Sequence, residues 1–188
     1  MKHMPQELRK QTLALVNASK PAAESSQVEA LIAAWLASLD DEDLAGTSPD
    51  SLAPVLWDGF FQAARRTSQG CQIAQLRYSD GRGGMATALL ILNDDMPYLV
   101  DSIVMALRKQ RVGVTGVMNS VLAVRRDASG NAVAVGEAGS PLESFVLCLL
   151  AEDLPADELA ALVARLQMVA RDAAVVRRWA IGQIDDIE

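Results

Sequence analysis

The stretch that decides the fold covers residues 86–107 and reads ATALLILNDDMPYLVDSIVMAL. Its first part, residues 86–92, is almost entirely apolar, and a run of that length bounded by polar residues is typical of a buried strand. Residues 93–95 are polar and interrupt the run. After Pro97, apolar side chains recur at the spacing of an amphipathic helix. The stretch therefore predicts a buried strand, a polar loop and a helix in direct succession.

The sequence on both sides of this stretch predicts further strands and a long helix. Residues 127–131 have the composition of a hairpin turn. We predict strands at 71–78, 114–126, 132–135 and 144–151, and a final helix that begins at Pro155. This order predicts an α+β fold: a sandwich in which an antiparallel sheet carries helices on one face, close to a ferredoxin-like arrangement.

Two helices are predicted before the sheet. Ser26 lies three residues before a glutamate, which is the spacing of a capping box, and Ser48 precedes a proline, which is a typical helix start. Trp35 and Phe60 fall on the apolar stripes of these helices, so we expect them to pack against the sheet. The predicted units are a flexible N-terminus (1–25), a helical extension (26–69), the α+β domain (70–181) and a tail or fragment boundary (182–188).

The composition argues against several classes of protein. The formal net charge is −7, and the basic residues are scattered, whereas nucleic-acid-binding proteins cluster them to neutralise phosphates. No apolar run approaches the roughly 20 residues that span a bilayer, and residues 1–20 lack the apolar core of a signal peptide. Cys71 and Cys148 are too few for a disulfide framework and are interpreted as buried thiols. We expect a cytoplasmic protein that binds neither nucleic acid nor membranes.

The sequence offers no residues suited to catalysis or to metal binding. The only histidine, His3, lies too close to the start of the chain to serve in a catalytic set with serine or cysteine. The cysteines and the histidine lack the spacing of a zinc site. Residues 81–84 are rich in glycine but lack the Gly-Lys-Ser/Thr end of a phosphate loop, and they are interpreted as a turn. We predict no catalytic, cofactor-binding or metal-binding residue in this chain.

The polar loop after the buried strand is the best candidate for a functional site. In one interpretation Asp95 caps the next helix, because acidic side chains near a helix N-terminus are favourable. In the other, the loop binds a ligand or a partner through the free N–H groups of that helix end. Asp101 is either an exposed carboxylate or a contact with another domain, since Met105 shares its face. The candidates for contacts with an effector or another domain are Asn93, Asp94, Asp95, Met96, Pro97 and Asp101.

Several segments resemble the N-terminal region of the large bacterial NAD-specific glutamate dehydrogenases. These segments are residues 43–52, 93–102 (NDDMPYLVDS), 121–130 (VLAVRRDASG) and 143–145 (ESF). The segment at 93–102 is long and specific, and the others add weight because they follow in the family's order. The chain departs from the family at Asn119-Ser120, where a His-Pro pair is usual, and at Tyr98, where Phe is commoner.

The resemblance implies an ACT-like domain at the start of a much longer polypeptide. Downstream domains of that polypeptide would oxidise L-glutamate to 2-oxoglutarate with NAD, so NAD is implied as a cofactor of the parent enzyme and not of this chain. ACT domains often pair side by side and bind amino acids at their interfaces, which implies a homo-oligomeric parent and an amino-acid effector at residues 93–97. We therefore expect a non-catalytic regulatory or assembly domain. Two alternatives remain: a stand-alone amino-acid-sensing ACT protein and a purely structural interaction module.

Overall fold

The computed structural model describes residues 4–18, 26–40, 42–67 and 70–185. The helices in these residues are α1 (Met4–Ala18), α2 (Ser26–Ser38), α3 (Pro49–Ala63), α4 (Leu99–Lys109) and α5 (Ala156–Asp185). The strands are β1 (Gln72–Ser79), β2 (Met85–Asp94), β3 (Val114–Arg126), β4 (Ala132–Val135) and β5 (Leu142–Leu150). None of the helices in the described ranges is both long enough and apolar enough to cross a membrane.

The five strands form one sheet in the order β1-β2-β5-β3-β4, and every neighbouring pair is antiparallel. β2, α4 and β3 form a crossover, and β5 lies between the two strands that it connects. A ferredoxin-like chain has the same arrangement of inner strands, but here the edge strand next to β2 is β1, which precedes β2 in the sequence. The prediction of an ACT-like α+β fold with an antiparallel sheet is confirmed.

Strand β2 is buried on both faces of the sheet, which explains its unbroken apolar sequence. Successive side chains of a strand point to opposite faces. Leu89 and Ile91 pack with α4 and α5, whereas Leu90 and Leu92 pack with the N-terminal helices. Helices α4 and α5 are thus the predicted helices on one face, and the helical extension covers the other face.

Three aromatic rings join the helical extension to the sheet. Trp35 of α2 meets Phe60 of α3 edge to face, with ring centroids 5.6 Å apart, and Phe60 stacks on Phe145 of β5 at 5.5 Å. Trp35 Nε1 also donates a 3.1 Å hydrogen bond to the carbonyl oxygen of Phe145. All three side chains are fully buried. The expectation that Trp35 and Phe60 pack against the sheet is confirmed.

The N-terminus differs from the prediction. Residues 1–25 were expected to be flexible, but they contain α1, in which Thr12 and Val16 are completely buried. Val16 belongs to the core that α2 and α3 share with the sheet. The apolar pattern of α1 is weak, so its helix is stabilised by packing more than by its own sequence. Residues 1–3 and 19–25 lie outside the described residues.

Two helix boundaries also differ from the prediction. The expected tail at 182–188 begins inside α5, which continues to Asp185, and residues 186–188 lie outside the described residues. Helix α4 begins at Leu99, whereas Pro97 was expected to open it. The second difference bears directly on the predicted site, because it changes which side chain can reach the helix end.

Candidate functional site

The loop between β2 and α4 is held to β5 by Asp95. Ser144 Oγ donates a 2.8 Å hydrogen bond to Asp95 Oδ1, and the backbone N–H of Asp95 donates a 3.0 Å bond to the carbonyl oxygen of Leu142. The N-cap position of α4 belongs to Tyr98, which has a φ of 63° and no side-chain capping bond. Asp95 therefore does not occupy the N-cap position of α4 that the first interpretation gave it, because Tyr98 lies there, after a turn at 97–98.

The six predicted contact residues have different environments. Asn93 and Met96 are buried and support the loop from within. Asp94 and Asp95 make hydrogen bonds inside the domain. Pro97 and Asp101 are exposed. Pro97, Asp101 and, despite its ion pair, Asp94 therefore present their side chains mainly to solvent, and Tyr98 next to Pro97 is exposed as well.

Asp94 leads to a cluster of charges that sequence reasoning missed. Arg66 Nη1, just beyond the end of α3, lies 2.6 Å from Asp94 Oδ1 and 3.1 Å from Glu143 Oε1. Arg66 Nη2 donates a 3.1 Å hydrogen bond to the carbonyl oxygen of Gly70. The side chain of Asp94 is 65% exposed, whereas that of Glu143 is only 4% exposed. The cluster therefore runs from the surface into the interior.

Arg126 completes this cluster from the end of β3. Its Nε and Nη2 atoms each lie 2.8 Å from a carboxylate oxygen of Glu143, so that the pair is bidentate. The same guanidinium donates to the carbonyl oxygens of Ala63, Ala64 and Gly130 at 2.9–3.2 Å. Ala63 and Ala64 end α3, where carbonyl groups lack partners within the helix. Arg126 therefore ties α3 to the β3–β4 turn and to β5.

This arginine–carboxylate cluster (Arg66, Arg126, Asp94 and Glu143) brings three separate segments together. Asp94 comes from the strand–loop–helix stretch, Arg126 from the RRDASG turn and Glu143 from the start of β5. Three of the four segments that carry the family resemblance thus meet at one place. In the sequence, Arg66 is marked only as part of a short basic pair. Glu143 does carry a signal, because a glutamate at the start of an apolar strand predicts a buried partner of opposite charge.

A cleft of about 740 Å³ lies beside the cluster, between the end of α3 and the β3–β4 turn. Two guanidinium groups and two carboxylates of the cluster line it and bind one another. Their charges are balanced, so the cluster offers no excess of either sign to a ligand. Its contacts instead fix the relative positions of α3, β3, β5 and the end of β2.

Asp127 shapes the turn that follows Arg126. Its carboxylate accepts hydrogen bonds from the Asn131 side chain and from the backbone N–H groups of Asn131 and Ser129, at 2.8–3.0 Å. These donors stabilise the charged form and hold the pKa of Asp127 below its usual value. The turn is thereby fixed locally, and it presents the carbonyl oxygen of Gly130 to Arg126.

The thiols of Cys71 and Cys148 are buried, which disfavours their reactive thiolate form. Burial raises the pKa of Cys71 to about 11 and that of Cys148 to about 12. Both thiols are therefore protonated at neutral pH, and the thiolate is the reactive form. The prediction of two free buried cysteines is confirmed. Across the described residues, no group of histidine, cysteine, aspartate and glutamate side chains could hold a metal ion.

A second cleft, of about 540 Å³, lies at the opposite end of β2. Tyr78 and Thr115 line it, and so do the α2–α3 loop and the β1–β2 turn. Tyr78 Oη donates a 2.7 Å hydrogen bond to the carbonyl oxygen of Leu150, so this hydroxyl already has a partner. The cleft was not predicted, because its walls come from segments far apart in the sequence.

Comparison with known protein families identifies the family to which this chain belongs. The family described as glutamate dehydrogenase, ACT1 domain, matches residues 31–166. This range begins in α2, includes α3 and the whole sheet, and ends in α5, so it covers well over half of the chain and all four residues of the arginine–carboxylate cluster. Neither the curated proteins nor the solved structures contain a significant match. The chain belongs to the glutamate dehydrogenase ACT1 domain family.

Proposed function

We propose that this chain is a non-catalytic regulatory and assembly domain of a large NAD-specific glutamate dehydrogenase. The observation that carries the proposal is the family match, which takes in the helical extension and the sheet together. The parent enzyme would oxidise L-glutamate to 2-oxoglutarate, with NAD bound by downstream domains of the same polypeptide. This chain would contribute contacts to those domains, to an amino-acid effector, or to other subunits of a homo-oligomer.

The loop after β2 supports this proposal because it is both anchored and exposed. Asp94 and Asp95 hold it to α3 and β5, while Pro97, Tyr98 and Asp101 face solvent. A surface that is already ordered loses less conformational freedom when it binds. The anchored loop is thus suited to a specific contact with an effector or another domain.

A purely structural module is the second candidate. The balanced charges of the arginine–carboxylate cluster favour it, because each charged group there already has a partner within the domain. In that case the domain would hold its neighbours in place without responding to a small molecule. The two candidates differ in whether changes at the loop alter the response of the parent enzyme to amino acids.

The test compares loop variants in the full-length parent enzyme. We expect Pro97→Ala and Asp101→Ala to change its glutamate saturation, its response to amino acids or its assembly, because both side chains are exposed at the loop. Glu152→Ala is the matched control, since Glu152 is an exposed acid beyond the other end of β5. The isolated chain should show no NADH formation above a mock-purified control. The proposal fails if the isolated chain turns over, or if the loop variants behave like Glu152→Ala in all three measurements.

A further inference from the structure

The exposed face of α4 carries a stripe of three side chains, namely the acidic Asp101, the apolar Met105 and the basic Arg108. Asp101 lies in the first turn of the helix and Arg108 in the last, and Met105 is 54% exposed between them. Residues four and three positions apart lie on one helix face, so these three side chains share it. At about 1.5 Å per residue, Asp101 and Arg108 lie roughly 10 Å apart along the axis. They are too distant to form an ion pair with each other, and neither pairs with another described residue.

The helix dipole explains only part of this stripe. It favours an acidic residue near the N-terminus and a basic residue near the C-terminus, and Asp101 and Arg108 follow that rule without a partner. It does not explain why Met105 is exposed between them, or why Tyr98 is 78% exposed before the helix. Tyr98 also has a left-handed backbone, which is uncommon for a bulky residue. An exposed methionine and an exposed aromatic residue beside charges of both signs are typical of an interface.

The stripe is complementary to itself. When two copies of α4 pack antiparallel and cross between Val104 and Met105, Asp101 of each copy lies opposite Arg108 of the other. The apolar centre and both flanking pairs are satisfied in the same register. An isologous contact of this kind is what a two-fold symmetric dimer requires.

A shallow groove beside the stripe suits the centre of such a contact. Its volume is about 170 Å³, and its walls come from Met105 and its neighbours on α4 and from Arg165 and Val169 on α5. Methionine adapts its shape to irregular apolar gaps. Met105 of a second copy can therefore enter the groove while its own groove receives the first copy.

We propose that the exposed face of α4 binds the same face of a second copy of this chain, with the two helices antiparallel. The occupant is a second copy because the charge order is complementary to itself, with acidic and basic ends that exchange partners across a two-fold axis. The proposal deepens the assembly role proposed above and rests on it only for its place in the parent enzyme. The contact itself is a property of the isolated chain.

The experiment is a charge exchange followed by sedimentation velocity of the full chain over a range of concentrations. The wild-type chain should form a dimer. Asp101→Arg alone and Arg108→Asp alone should each weaken it by about tenfold or more, because each change places like charges opposite each other twice. An equimolar mixture of the two variants should form a heterodimer, since the pairs are then again of opposite sign. The double variant should recover the dimer for the same reason.

Asp58→Arg is the matched control, because it reverses one exposed charge on α3, which lies on the opposite face of the sheet from α4, and it should leave the dimer unchanged. Circular dichroism confirms that each variant is folded. The proposal is overturned if the wild-type chain is a monomer throughout, if both single variants associate as the wild type does, or if mixing the two restores nothing. Any of these results would leave the kinetic test on the parent enzyme unaffected, so a failure of this contact can be distinguished from a failure of the proposed function.

Discussion

At the scale of single residues, Glu143 is a charged residue in a buried position. Its carboxylate is removed from water and lies between the guanidinium groups of Arg66 and Arg126. Moving a carboxylate into the interior costs several kcal/mol, and close pairing of this kind offsets that cost. Removing Glu143 would therefore deprive both guanidinium groups of their buried carboxylate. Asp94 differs because its side chain is mostly exposed.

We expect Glu143→Ala to lower the free energy of unfolding by about 3–5 kcal/mol, because two buried arginines lose their main partner. Asp94→Ala is the control and should cost only about 0.2–1 kcal/mol, as exposed ion pairs do. Urea denaturation of the isolated chain at neutral pH gives both values. Losses of similar size for the two variants would show that the buried cluster is not what holds α3 to the sheet.

Sequence reasoning at this scale found segments that meet in the fold, but it did not find the contacts between them. The resemblance singled out the stretches that contain Asp94, Arg126 and Glu143, yet nothing in one sequence says that they meet. Asp95 was assigned to the helix end because capping is a local pattern, and its actual partner, Ser144, is 49 positions away. Contacts set by the tertiary fold are the ones that a local pattern does not contain.

At the scale of elements, the helices of the extension are integral to the core. Trp35, Phe60 and Phe145 form one aromatic column that passes from α2 through α3 to β5. Edge-to-face and stacked rings at these distances are favourable beyond the area that they bury. The column therefore couples the extension to the sheet more tightly than a peripheral helix would be.

We expect Trp35→Ala and Phe60→Ala each to lower the free energy of unfolding by about 3–5 kcal/mol, since each removes a fully buried ring. Trp35→Phe keeps a ring but loses the hydrogen bond to Phe145, and should cost less than either. Chemical denaturation followed by circular dichroism measures all three. Losses well below about 1 kcal/mol for both alanine variants would contradict a shared core.

The elements of the sheet were largely predictable from the sequence, and α1 was not. β3 and β4 have the predicted bounds, because turn residues mark their ends. Ser48 caps α3 through a 3.3 Å hydrogen bond from the backbone N–H of Ser51, as the serine before a proline predicted. Helix α1 has Pro5 and Glu7 in its first turn but a diluted apolar pattern, so its helix depends on neighbours that the sequence alone does not place.

At the scale of the whole molecule, the sheet has helices on both faces. Helices α4 and α5 cover one face, and α1, α2 and α3 cover the other. The family match begins in α2 rather than at β1. The helical extension and the α+β domain were predicted as separate units, but in the structure they share one core.

This shared core predicts that the chain from Gly70 onward does not fold alone. Without the extension, the sheet would expose Leu90, Leu92 and Phe145 on a face that is now buried, and monomeric proteins rarely leave apolar patches of that kind in contact with water. We expect this shortened chain to aggregate or to lose cooperative unfolding, with strong binding of a hydrophobic dye. A chain that begins at Ser26 lacks only α1 and is the matched control, since it keeps the aromatic column and should unfold in one transition. If the chain from Gly70 instead stays free of aggregates and unfolds cooperatively, the sheet with α4 and α5 is a complete domain, and the extension is an accessory that packs on it.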